Sequence, residues 1–173
     1  GPPQLSGTPR GQPLWLFTAR TGEVRRKRGV TAASIAKRFL GLHDRGAGSL
    51  PGRLDFTEGD ITDKESMRAG MSGVDGVYHL AAWYKVGASA RETKLAKGIN
   101  VGGTRHVFEL MRELQVPKGV YTSTLTVNSD TQGVEVDEEY VYSGPHLSEY
   151  DRTKALAHAI ALQEIAQSSP LVV

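Results

Sequence analysis

The sequence predicts an α/β fold, a doubly wound parallel sheet with helices on both faces. Three observations carry that expectation. Short apolar runs, Val77 to Ala82 and Val120 to Ser123, alternate with longer segments of helical periodicity. Those segments, about Lys97–Leu114 and Tyr150–Gln167, are long enough to carry the chain back along a sheet between parallel strands. Small or polar residues then gather just after the apolar runs, where such sheets bind their ligands.

Taken in order, residues 1–13 hold four prolines and three glycines and are expected to be irregular. Leu14 to Phe17 is a short apolar run that suits a buried strand, and Thr31 to Leu42 reads as a helix with Ile35, Phe39 and Leu42 on one face. Leu54 to Glu58 alternates as a strand and stops at Gly59-Asp60. Thr62-Asp63-Lys64-Glu65 has the spacing of a capping box, with the Thr62 hydroxyl on the Glu65 amide, so a short helix should follow to about Met71. Val77 to Ala82 is apolar enough for a strand buried on both faces. Along about Lys97–Leu114, Thr104, Val107, Phe108, Met111 and Leu114 share a stripe, and Pro117 closes the segment. The strand Val120 to Ser123, an acidic loop, the helix Tyr150–Gln167 and a strand opening at Leu171 complete the chain.

Composition narrows the function. With 39% hydrophobic and 23% charged residues the 173-residue chain suits one domain with a core of its own. No apolar run is long enough to span a membrane. There is no cysteine, which excludes disulfides, thiolate nucleophiles and cysteine-bound zinc, and fits a cytoplasmic protein. Charge is unevenly spread: residues 1–53 carry a net +8 and residues 54–173 a net −6. The basic run Arg25 to Arg28 has no aromatic residues interleaved with it, so it is read as a solvated leader and no nucleic-acid partner is expected. The five histidines lack metal-ligand spacing and are read as surface or core residues, with no metal site.

The residues with chemistry begin with Tyr150 and Lys154. Four residues apart on a helix, they lie one turn apart on one face. A nearby ammonium favours phenolate, which suits a tyrosine to acid–base work. As a bare pair this is weak, since Tyr and Lys meet at this spacing by chance. Its setting adds weight. Ser123 and Thr124 close the preceding strand, and Gly59-Asp60-Ile61 and Leu80-Ala81-Ala82 close two others. An acid at a strand end can accept from an amino group, and small residues let an extended ligand approach the backbone.

The ordered runs Gly59-Asp60-Ile61-Thr62-Asp63, His79-Leu80-Ala81-Ala82, Asn100-Val101-Gly102-Gly103-Thr104, Thr122-Ser123-Thr124 with Val127-Asn128-Ser129, and Tyr150-Asp151-Arg152-Thr153-Lys154 resemble the extended short-chain dehydrogenase/reductases. Within them the likeness is to the NAD-dependent epimerase/dehydratase family and its dihydroflavonol-reductase-like members. The resemblance covers roughly residues 54–173 and implies a Rossmann-like NAD(P)-binding core. It implies that Tyr150 is the general acid/base and that Lys154 holds the nicotinamide ribose, while Thr124 positions the substrate oxygen. It further implies that Asp60 and Ile61 contact the adenine and that Leu80, Ala81, Ala82, Asn100 and Ser123 line the cofactor, NAD slightly favoured over NADP. Rival readings stay open: Asp60 as a turn cap, Ala81 and Ala82 as core packing, Asn100 as a tie between a helix start and a loop.

The family's Gly-rich opening is matched only loosely by residues 16–22, with Ala19 where a glycine is expected and Gly22 retained. Residues 1–53 are therefore expected to be either a degenerate first strand and helix or a foreign head. The chain is expected to be incomplete at both ends, with the C-terminal substrate lobe absent. The implied substrate is a sugar nucleotide or a related hydroxyl/ketone compound, and the implied pairing is a homodimer through the two long helices. The alternatives are a non-catalytic NAD(P)-binding or regulatory protein, or an inactive fragment.

Overall fold

The computed structural model describes residue 57 and residues 59–85, 87–167 and 171–173. The strand at Leu14–Phe17, the helix at Thr31–Leu42, most of the strand at Leu54–Glu58 and the Gly22 turn lie outside the described residues. Within them the order is α1 (Lys64–Met71), β1 (Val77–His79), α2 (Ala90–Ala96), a π-helical segment (Lys97–Gly103), α3 (Thr104–Glu113), β2 (Gly119–Tyr121), a 3-10 turn (Leu125–Asn128), α4 (Glu149–Ala166) and β3 (Leu171–Val172). The strands pair in parallel in the order β1-β2-β3, with Val77 beside Gly119, His79 beside Tyr121, and Gly119 beside Leu171. Each crossover is helical, as parallel neighbours require. The α/β parallel sheet expected from the sequence is the fold.

The helix layer forms the core. Met67 and Met71 of α1, Val107, Leu110 and Met111 of α3, and Ala157 and Ala161 of α4 are buried together with Val77 and Tyr121 of the strands. The outer seam between α1 and α3 is ionic: Lys64 Nζ donates to Glu109 at 2.9 Å and to Glu113 at 2.6 Å, and Arg68 reaches Glu113 at 2.6 Å. These groups are partly exposed, so water screens the pairs and each adds little to stability.

Three local expectations are corrected. The cap of α1 is Asp63, whose carboxylate accepts from the Glu65 amide at 3.2 Å; the Thr62 hydroxyl donates to Asp60 Oδ1 at 2.8 Å instead. An Asx turn at Asp60 captures Thr62 before it can cap, and an aspartate at position 63 caps as well as a threonine one residue earlier. The helical stretch begins at Ala90, not Lys97, because Ser89 and Glu92 build the reciprocal capping box. Nor is β1 buried on both faces: Val77 and His79 are buried, while Tyr78 is 49% exposed. A short apolar run cannot report one-sided burial, and alternation along the strand decides it.

Two backbone sites carry testable consequences. Behind α3, Gln115 has φ +53°, its amide donates to the Arg112 carbonyl and the Val116 amide to the Met111 carbonyl at 2.9 Å. This is a Schellman ending, closed by the buried pair Met111 and Val116, with a glutamine where glycine is favoured. We expect Gln115→Gly to stabilise the chain by roughly 0.5–1 kcal/mol in urea unfolding, because a side chain in the left-handed region costs about 1–2 kcal/mol and glycine returns part of that as chain entropy. At Gly103 a Cβ would lie 2.7 Å from Ile61 Cγ1 and 3.0 Å from Cγ2. Both are branch atoms of a buried side chain and cannot swing aside. Gly103→Ala should destabilise the chain despite alanine's better helix propensity of about 1 kcal/mol, because overpacking costs about 1–3 kcal/mol. Ile61→Ala in the same chain should remove most of that extra loss, and equal losses in both backgrounds would refute the steric account.

Candidate active site

The site gathers where the strands stop. Parallel pairing sets the carboxyl ends of β1 and β2 side by side, and the chain leaves them as Leu80-Ala81-Ala82 and Thr122-Ser123-Thr124. Above them stands the first half of α4. Ser148 caps that helix, accepting from the Asp151 amide at 3.1 Å, and Glu149 and Asp151 add acidic charge to its first turn, where the helix dipole favours it.

Lys154 lies on the inner face of α4 and is 4% exposed. Its Nζ donates to the Thr122 carbonyl at 2.7 Å and sits 4.5 Å from the centre of the Tyr121 ring. Burial lowers its pKa from 10.5 to about 8. Tyr150, one turn earlier, is half-buried and meets the Tyr84 ring edge-on at 4.9 Å. Among the described residues no hydrogen bond joins Tyr150 to Lys154; the two share a helix face and the lysine turns to the strand end.

Asn100 holds the neighbouring segments together. Its Oδ1 accepts from the Trp83 amide at 2.6 Å, and its Nδ2 donates to the Trp83 carbonyl at 3.1 Å and to the Thr153 hydroxyl at 2.9 Å. Every hydrogen-bonding position on its side-chain nitrogen is used, so the tie between helix start and loop that the sequence left open is what the amide does here. Below it, the Thr104 hydroxyl donates to the Asn100 carbonyl at 2.7 Å and so accepts from His79 Nε2 at 2.8 Å. His79 is therefore protonated on Nε2, leaving Nδ1 a bare acceptor without a partner. Burial, helped by the Lys154 charge, lowers the His79 pKa to about 3 and keeps the ring neutral.

The remaining anticipated residues divide. Thr124 is half-buried and caps the 3-10 turn, its Oγ1 accepting from the Thr126 amide at 3.3 Å. Ser123 Oγ pairs with His158 Nδ1 at 2.8 Å. Leu80 is 37% exposed, Ala81 buried and Ala82 half-buried, so the shelf after β1 is narrow and apolar. Asp60 accepts from the Thr62 amide at 2.8 Å, the turn-cap geometry. Ile61 is buried under Gly103 and its carbonyl accepts from His106 Nδ1 at 3.0 Å. Tyr150, Lys154, Thr124, Ser123, Asn100 and the Leu80–Ala82 shelf thus belong to one end of the sheet, with Asp60 and Ile61 at the neighbouring turn before α1.

The sequence assigned no role at the site to Tyr121, His79, Tyr84, Thr153 or His158. Signals for some were present. His158 follows Lys154 by four residues and continues the Tyr150 face, and Tyr121 precedes Ser123 by two and so shares its side of the strand. Burial lowers the pKa of His158, with the Lys154 charge adding to the effect.

The sequence model of the NAD dependent epimerase/dehydratase family matches residues 16–172. Short-chain dehydrogenase/reductase family 42E member 1 of Bos taurus is 33% identical over 133 residues, which are 70% of this chain and 34% of that protein. The 3 beta-hydroxysteroid dehydrogenase/Delta 5-->4-isomerase of Mycobacterium tuberculosis (strain ATCC 25618 / H37Rv) is 30% identical over 128 residues, 70% of this chain and 35% of that protein. The chain therefore spans about a third of the length of these curated relatives. Among solved structures, the dTDP-glucose 4,6-dehydratase DesIV of Streptomyces venezuelae, a double mutant with NAD and DAU bound, superposes with TM-score 0.59 at 26% identity, covering 69% of this chain and 37% of that one. The UDP-glucose-4-epimerase of Stenotrophomonas maltophila has TM-score 0.62 at 22% identity over 84% of this chain and 41% of that one, a likeness of fold. A parallel Rossmann-like sheet with these residues at its carboxyl edge, matched over nearly its whole length, belongs to the NAD dependent epimerase/dehydratase family of extended short-chain dehydrogenase/reductases.

Proposed function

We propose that the chain is the NAD(P)-binding core of an oxidoreductase, epimerase or dehydratase in which Tyr150 moves the proton. Its substrate would be a sugar nucleotide or a related hydroxyl/ketone compound. The observation that carries this reading is the placement of Tyr150 and a buried Lys154 on one face of α4, over the ends of two parallel strands that also present Thr124. The surroundings fit a nicotinamide dinucleotide. The side chains of Ala81 and Ala82 end at Cβ, so an extended ligand can approach the β1 exit. Lys154 brings a cation to the β2 exit, with one of its donors on Thr122. Leu80, Ala81, Ala82, Ser123 and Asn100 would line such a group, and Asp60 and Ile61 would meet its adenine end. When bound, it supplies the hydride acceptor or donor.

The chain's own residues do the rest. Thr124 holds the substrate oxygen by a hydroxyl hydrogen bond, and Tyr150 delivers or removes the proton on that oxygen. Lys154 orients the ribose and carries positive charge beside the phenol. Asn100 fixes the shelf against α4. Residues 54–173 would be this nucleotide-binding core, and the family match extends upstream of it to residue 16. Trp83 is buried beside the shelf, so its emission would report a bound reduced nicotinamide.

A second reading of the substrate rests on the rim. Tyr84 is 69% exposed against Tyr150, Leu125 is 89% exposed directly after Thr124, and Leu147 is 78% exposed just before the α4 cap. An apolar rim suits a flat hydroxyl compound of the steroid type, in keeping with the name of the mycobacterial relative, a 3 beta-hydroxysteroid dehydrogenase/isomerase. Turnover of UDP-galactose against that of a 3β-hydroxysteroid separates the two.

We expect NADH or NADPH to quench the tryptophan emission of the purified chain saturably. No quenching by either, in a chain with a cooperative melt, would rule out the nucleotide-binding reading. Tyr150→Phe should leave that binding within about two-fold and, in an otherwise complete enzyme carrying this core, cut turnover by at least ~100-fold, the usual scale of a lost acid/base. Near-native turnover would remove Tyr150 from its role.

Lys154 gives a second check with a definite sign. Its pKa is 10.5 when unfolded and about 8 when folded. Below pH 8 both states hold the proton and the cost of the buried charge is present in full. Between about 8 and 10.5 the unfolded chain keeps a proton that the folded chain has lost, so stability contributed at this site rises with pH. The unfolding free energy of the native chain relative to Lys154→Met should climb between pH 8 and 10, by up to ~1.4 kcal/mol per unit. A flat difference would mean that the ammonium is not buried in solution.

A further inference from the structure

Lys154 is a buried cation with no carboxylate paired to it among the described residues. Something must hold its charge in place without neutralising it. We propose that Tyr121 is the positioning residue for Lys154: its ring face and the adjacent Thr122 carbonyl hold the ammonium at the β2 exit, aimed along the Tyr150 face of α4. This rests on the reading of Tyr150 and Lys154 as the acid–base pair.

The geometry supports it from both sides. Nζ lies 4.5 Å from the Tyr121 ring centre, inside the ~6 Å reach of a cation–π contact, and 2.7 Å from the Thr122 carbonyl. Consecutive strand residues therefore supply an attraction from the ring face and a directional acceptor from the backbone. The ring cannot drift. Tyr121 is 2% exposed, stands edge-on to Phe108 at 6.0 Å and 79°, and tilts against His79 at 5.4 Å, its register partner across the sheet.

What the site takes from Tyr121 is the face and not the hydroxyl. The phenol oxygen, beside Thr104, makes no hydrogen bond of good geometry. Burial, with Tyr150 nearby, pushes its pKa up, so the ring stays neutral at every working pH. The other groups facing the ammonium do not replace it. His79 on β1 is neutral, Tyr150 and His158 lie on the lysine's own helix, and His158 is committed to Ser123. A carboxylate partner would draw the ammonium toward itself and occupy its donors. A ring face attracts the charge without fixing a donor direction, so the lysine keeps donors for the ribose and stays beside the phenol.

The test varies the ring's electrostatics at nearly constant size. Position 121 of the purified chain is replaced by phenylalanine and by its mono-, di- and trifluorinated forms. The Lys154 side chain is followed by NMR titration, its resonance assigned by its loss in Lys154→Met. Tyr121→Phe should leave the midpoint near its native value. Added fluorine should then lower it stepwise, by roughly one unit across the series, because each fluorine weakens the negative face that favours the ammonium. A flat series in variants that melt within a few degrees of one another would overturn the proposal, since a purely packing role has no reason to follow ring charge. If Tyr121→Phe itself failed to fold, the hydroxyl would be the essential group and the proposal would equally fall. The readout needs no nucleotide. Loss of NADH and NADPH binding would therefore count against the functional reading alone, and a flat fluorine series against Tyr121 alone.

Discussion

The buried amide of Asn100 is the constraint on which the site depends. One side chain bonds both backbone groups of Trp83 and the hydroxyl of Thr153, and its own carbonyl takes the Thr104 hydroxyl. Those partners belong to the loop after β1, to the first turns of α4, and to the start of α3. A loop cannot lie in a protein interior unless its backbone polar groups find partners, and here a side chain supplies both for Trp83. The shelf of Ala81 and Ala82 is thereby set against the helix that carries Tyr150 and Lys154. The π-helical segment Lys97–Gly103 is where that amide enters, and such local widening of a helix is common where a side chain is being aimed.

Behind this satisfied network lies a less satisfied one. His79 Nδ1 and the Tyr121 hydroxyl are buried without partners, and Lys154 is buried without a counter-ion. Each is unfavourable by itself. All three lie at the carboxyl ends of β1 and β2 or directly against them, and the apolar layer of Val107, Leu110 and Met111 lies to one side. Unsatisfied polar groups gathered at a strand exit beside a buried cation are what the proposed active site would require, since such sites trade local stability for chemistry.

The sequence was informative where periodicity or a spaced pair carried the signal. The strands begun at Val77 and, one residue late, at Val120 follow from apolar runs, and the stripe through Val107, Phe108 and Met111 is the buried face of α3. Lys154 was legible as one half of an i, i+4 pair, though its burial was not, since that depends on where β2 ends. Competition between equivalent caps was illegible. Thr62 and Asp63 are both good N-caps, and the choice went to the residue left free once Asp60 had bound Thr62. Ser89-Ala90-Arg91-Glu92 carried a capping box in plain spelling, but a run without obvious apolar stripe hid it until the π-helical segment joined it to α3. Contacts across the sheet, such as His79 against Tyr121 or Asn100 against Thr153, have no local signature at all.

The lengths of the elements explain where Tyr150 and Lys154 sit along α4. Three strand residues span about 10 Å, whereas the eighteen residues of Glu149–Ala166 span about 27 Å. A helix that packs on such a strand must overhang it. The buried stripe of α4 runs through Thr153, Lys154, Ala157 and Ala161, and its two alanines let the helix approach the sheet closely. Tyr150 continues that stripe by one turn toward the helix start, where none of the described strands, β1 to β3, extends to cover it. The face that is core further along becomes half-buried at Tyr150, where the proposed ligand would meet it. Core packing and the proposed acid–base pair thus share one stripe, divided by the point at which β2 stops.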